Sequence, residues 1–218
     1  MADRGLGRVA AASAAAGCTL AGVVAVTVAV VAGPGPGPTG YVSEAGVTDS
    51  RYAAAYRIGI FALAAALLLL AVALPTALRV AGALLVAGGV LTLLSGAVTC
   101  SAGCPLPPFE TPTVADLVHG GASIAATASV VLAMLALLRS AAAGRAVRWI
   151  AGLGAVLALP CSAAIAVAML TVGRSGVVGV LERVLLAVAA SWGLATATTL
   201  GLTRATVPTG ASGQESDL

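Results

Sequence analysis

Asp116, His119 and Ser123 recur at i, i+3 and i+7, the spacing that places side chains on one face of a helix. His119 is the only histidine of the chain. An imidazole titrates near neutral pH, so beside a carboxylate it can act as a general acid or base, with Asp116 orienting the ring. Glu182 and Arg183 are adjacent and, on a helix, point about 100° apart. That geometry suggests Arg183 turned inward against Asp116 or Glu44, with Glu182 nearer the surface. Arg57 and Arg183 are the candidate anion donors, and Glu44, Asp116 and His119 their partners. A single histidine excludes a three-histidine zinc site, and no other spacing suggests a metal or a cofactor. Serine-hydrolase, phosphate-loop and dinucleotide-binding patterns are absent.

Cys100 and Cys104 stand four residues apart in a polar stretch just before this face. Outside the cytoplasm such a pair oxidises, so a disulfide is expected there, shaping the approach to the following helix. A redox pair is the alternative. Cys18 and Cys161 fall within apolar runs and read as small buried residues.

The elements that must position these groups are membrane helices. Of 218 residues, 60% are hydrophobic and 9% are charged, too few charges for a soluble domain. Apolar runs of roughly 20 residues cross a bilayer. The expected fold is all-α, a polytopic integral membrane bundle of six helices at about 9–33, 57–78, 80–99, 112–138, 149–172 and 177–202. Residues 1–8 form a cytoplasmic N-terminus and 203–218 a disordered cytoplasmic tail. Cys18 lies before the strongest part of the first apolar run, which argues for a retained helix over lipoprotein processing. Pro75 falls near the end of the second helix, and Thr111 with Pro112 opens the fourth.

All eleven basic residues are Arg, and Ala dominates the apolar set, the signature of GC-rich coding such as an actinobacterium's. The net charge of +3 is too small and too scattered for nucleic-acid binding. Arg79, Arg139, Arg145 and Arg148 occupy the short loops on one side, and no basic residue lies between Cys100 and Thr113 on the other. The positive-inside rule then puts both termini in the cytoplasm, and the protein in the cytoplasmic membrane. Glu44, Arg51, Arg57, Asp116, His119, Glu182 and Arg183 consequently gather on the outer side.

Three stretches of the chain resemble one family. Tyr41-Val42-Ser43-Glu44-Ala45-Gly46 is similar to a Ser-Glu-Leu-Gly signature in the first outer loop, with Ala45 at the Leu position. Leu117-Val118-His119-Gly120-Gly121-Ala122-Ser123 resembles a His-Gly start of the fourth helix. Gly179-Val180-Leu181-Glu182-Arg183 resembles the start of the sixth, with Trp192 at a fitting distance. Together they resemble the six-helix prokaryotic membrane family named domain of unknown function 998. The resemblance implies that Ser43, Glu44, His119, Glu182 and Arg183 belong to one site.

Three functional readings follow. In the first, a small molecule or lipid headgroup binds in an outward-facing polar pocket formed by Ser43, Glu44, Arg57, Asp116, His119, Ser123, Glu182 and Arg183. In the second, a membrane-embedded enzyme works on lipid or isoprenoid substrates through His119 and Asp116, with Glu44 a further candidate. In the third, the charges lock the helices of a structural subunit. Membrane lipid is the expected partner in each.

Overall fold

The computed structural model describes residues 2–33, 37–47 and 49–205. These residues form six long helices: α1 (Ala2–Ala32), α2 (Ala53–Ala73), α3 (Arg79–Ala97), α4 (Val114–Arg139), α5 (Arg145–Thr171) and α6 (Gly176–Ala205). Short 3-10 turns cover Gly37–Thr39, Val42–Gly46 and Thr76–Leu78, and there is no strand among the described residues. The expected tail falls mostly on 206–218, outside the described residues. Each of the six helices contains a stretch long and apolar enough to cross a bilayer. Val24, Leu153 and Val167 are more than 60% exposed along them, as a lipid-facing surface requires. The protein is a multi-pass membrane protein.

Helix boundaries depart from the apolar runs where local chemistry outweighs hydropathy. α1 begins at Ala2 rather than Val9, because hydropathy marks the bilayer-crossing part of a helix and not its hydrogen-bonded length. α2 stops at Ala73, with Leu74 extended (φ −66°, ψ 145°) because the residue before a proline is pushed out of the helical region. Pro75 therefore stands outside α2 and opens the 3-10 turn instead. α4 is capped by Thr113, not Thr111. The Thr113 hydroxyl accepts from the Asp116 amide while the Asp116 carboxylate accepts from the Thr113 amide, a reciprocal box that sets the first turn.

Each helix packs on its neighbours in sequence, and α1 packs on α6, so the six close into a ring. Small residues allow close approach: a Cβ added to Gly22 of α1 would sit 2.9 Å from the Gly59 carbonyl oxygen of α2. Leu70, Leu85, Met134 and Leu137 are fully buried in the main core. α1 and α6 meet where Gly201 lies beside Ala12 and Ser13, so the two ends of the described chain share one end of the bundle. Arg8, Arg79, Arg139, Arg145 and Arg148 belong to that arginine end. The opposite end carries the long connections and is called the cap.

Candidate functional site

Asp116 is 1% exposed and fully occupied. Its Oδ1 accepts from the Ser101 amide (2.7 Å) and hydroxyl (3.0 Å), and its Oδ2 from the Thr113 amide (2.8 Å) and hydroxyl (2.7 Å). Four donors saturate the lone pairs of a carboxylate. Ser101 lies in the loop closed by the Cys100–Cys104 disulfide. Asp116 therefore ties this loop to the N-terminus of α4.

The disulfide loop is also the hub of the cap. Cys100 and Cys104 are buried against Tyr41 and Val178, and the Ser43 hydroxyl donates to Cys104 Sγ at 3.4 Å. Burial, reinforced by the nearby Glu182 and Glu110, pushes the Tyr41 phenol up to about 12. Arg174, in the α5–α6 turn, pairs with Glu44 at 3.6 Å and Glu110 at 3.5 Å and so bridges all three cap connections. It is 44% exposed, so each pair contributes at most ~1 kcal/mol. Arg174 was not among the residues singled out from the sequence; an isolated arginine in a short turn carries no spacing signal.

Glu182 and Arg183 both hold the first cap segment. Glu182 Oε2 accepts from the Val42 amide at 2.9 Å. Arg183 Nη1 donates to the carbonyls of Gly40 and Gly179, and Nη2 donates to Gly37 at 2.8 Å. The expectation of Arg183 against Asp116 or Glu44 is thus corrected. The carbonyls of Gly37 and Gly40 lie outside the long helices, and the guanidinium fork supplies their donors.

His119 belongs to a different place, the seam between α3 and α4. Its Nδ1 lies 2.8 Å from the Ser95 carbonyl and 2.9 Å from that of Val98, so Nδ1 carries the proton and donates. The Ser95 hydroxyl stands 2.7 Å from that of Ser123. No hydrogen bond joins Asp116 to His119 among the described residues, so Asp116 does not orient the ring. Arg57 reaches Thr99 Oγ1 at 3.3 Å, linking α2 to the end of α3. The cap thus gathers Ser43, Glu44, Asp116, Glu182 and Arg183 into connected contacts, whereas His119, Ser123 and Arg57 join helix pairs beside it.

A cavity lies elsewhere in the bundle. Between α1 and α6, backed by α2 and α4, is a cavity of about 550 Å³ lined chiefly by Ala, Val and Leu, with Val42 and Arg183 at its cap end. Its size is within the ~300–1,000 Å³ typical of ligand sites. Three of its polar wall residues are already satisfied by their own helices: Thr19 donates to Ala15, Thr92 to Gly88 and Thr127 to Ser123. The wall therefore presents mostly hydrocarbon. Nothing in the apolar pattern of the sequence points to it, because helices that are hydrophobic all round do not reveal which faces pack.

No curated protein and no solved structure matches the chain. The model of one family, described as a protein of unknown function (DUF998), matches residues 9–199. That span runs from the start of the apolar part of α1 to the last turns of α6 and takes in the Ser43-Glu44, His119-Gly120 and Glu182-Arg183 pairs, and the chain belongs to the DUF998 family.

Proposed function

We propose that this protein binds the hydrocarbon chain of a membrane lipid in the cavity between α1 and α6, with the lipid's polar end at the cap. One observation carries the reading: a cavity of about 550 Å³ lined chiefly by Ala, Val and Leu, with the hydroxyls of Thr19, Thr92 and Thr127 bonded within their own helices. An apolar wall at bilayer depth suits an acyl or isoprenoid chain and offers little to a polar solute. The polar residues at the cap support the reading in a secondary way, as the lid and rim of the cavity through Val42 and Arg183. Acid–base chemistry by His119 and Asp116 draws less support, since Asp116 is saturated by Ser101 and Thr113.

Gly193 gives the direct test. It lines the cavity, and a Cβ added there meets nothing within 4 Å. Gly193→Phe would project its ring into the void while improving helix propensity by somewhat under ~1 kcal/mol. The expected result is a thermal midpoint at or above that of the wild type, with lipid retained in native mass spectra reduced about tenfold. Undiminished lipid in a folded variant would sink the reading.

In the same proposal the protein sits in the cytoplasmic membrane with both termini in the cytoplasm and the cap outside. The arginines at the end opposite the cap support this orientation. A cysteine placed at Thr111 should react with an impermeant maleimide in intact cells, and one at Ala142 only after permeabilisation; the opposite pattern would invert the protein.

A further inference from the structure

The depth, width and charge of the cavity narrow the class of lipid. Its lining passes the middle of the membrane-crossing segment on all four main walls. It reaches Ala15 in the Gly5–Ala32 stretch of α1, Leu70 in α2, Met134 in α4 and Leu194 in α6. From Ala15 to Val31 the cavity follows α1 for ~24 Å, against the ~15 Å that one leaflet contributes to a ~30 Å hydrocarbon core. An acyl chain of the outer leaflet would fill only part of this length. A volume of about 550 Å³ drawn out over ~24 Å describes a narrow slot rather than a broad chamber.

Arg183 marks the cap end. The ion pairs among the described residues are those of Arg174 with Glu44 and Glu110, so Arg183 has no carboxylate within ion-pair distance. The adjacent Glu182 is engaged by the Val42 amide. Three carbonyls orient the Arg183 fork, and a guanidinium has five N–H donors, so donors remain for an anion. A guanidinium held by neutral carbonyls is well matched to phosphate.

We infer that the occupant is a single-chain, polyisoprenoid-type lipid carrying a phosphate head, its chain running past the bilayer midplane and its phosphate at Arg183. This rests on the binding reading above and specifies its ligand. The test uses the purified full-length protein in detergent with four probes: a long polyprenyl phosphate, the polyprenol of the same length, a two-chain phosphatidylglycerol, and inorganic phosphate.

The polyprenyl phosphate should bind at least about tenfold more tightly than either the polyprenol or phosphatidylglycerol, and inorganic phosphate should not displace it. Arg183→Gln should abolish the preference for phosphate over alcohol while the polyprenol still binds. Equal binding of phosphatidylglycerol would overturn the single-chain assignment and leave general lipid binding intact. Equal binding of the polyprenol, displacement by inorganic phosphate, or an undiminished preference in Arg183→Gln would overturn the role of Arg183. Failure of every lipid to bind would remove the binding reading itself. If the variant does not fold, the wild-type panel decides alone.

Discussion

Asp116→Ala should destabilise the protein by about 3–5 kcal/mol, seen as a fall in the thermal midpoint in detergent. The size follows from what is left behind. Each hydrogen bond to an ionised group contributes ~1.5–3 kcal/mol, and donors stranded in a buried place add their own desolvation cost. The variant strands the amide and hydroxyl of Ser101 and of Thr113 together. Bonds sharing one carboxylate are not additive, so the total stays below the sum of the parts. Asp116→Asn keeps the volume but turns an amide NH₂ toward hydroxyl and amide donors, and should lose about half as much. Ser123→Ala, which removes one hydroxyl partner of Ser95, should change stability by no more than ~1 kcal/mol. Because Ser101 sits inside the Cys100–Cys104 loop, Asp116→Ala should also make that disulfide react faster with added thiol. An Asp116→Ala protein as stable as the wild type would mean that the carboxylate does not hold the cap.

The contrast between Asp116 and Ser123 shows what the sequence made legible. Charge placement and hydropathy were enough to give six membrane helices and to send Glu44, Asp116, Glu182 and Arg183 to one end of the bundle. Their partners could not be read, because the partners of Glu182 and Arg183 are backbone groups of Gly37, Gly40 and Val42 rather than side chains. Charge complementarity therefore pointed Arg183 at carboxylates. The Thr113-x-x-Asp116 box was visible as a spacing, yet the Thr111-Pro112 pair drew the helix start two residues early. The i, i+3 spacing puts His119 on one helix face with Asp116, but a shared face does not create a hydrogen bond. One group looks to the disulfide loop and the other to the α3 carbonyls. The apolar cavity was illegible for a different reason. Ala, Val and Leu look alike on every face of a membrane helix, and only the assembled ring shows that α1 and α6 flank a space.

Gly179→Ala should have an effect out of proportion to one methyl group. A Cβ at this position would overlap the Thr39 carbonyl oxygen and lie 2.7 Å from that of Gly40, both backbone atoms that no side-chain rotation can move aside. The segment carrying Gly37–Val42 would have to lift away from α6. That motion also breaks the contacts of Arg183 with Gly37 and Gly40, and that of Glu182 with Val42, because all are made across the same interface. Overpacking alone costs ~1–3 kcal/mol, and loss of the coupled hydrogen bonds raises the expected loss to about 3 kcal/mol or more. Limited proteolysis should then cut within 37–47, and lipid retention should fall because Val42 and Arg183 close the cavity at this end. Gly121→Ala is the matched control, since a Cβ there meets nothing within 4 Å and helix propensity favours Ala by up to ~1 kcal/mol. It should leave the protein as stable or slightly more so. Equal behaviour of the two variants would show that the first cap segment is not seated on α6, and the lid assigned to the cavity would go with it.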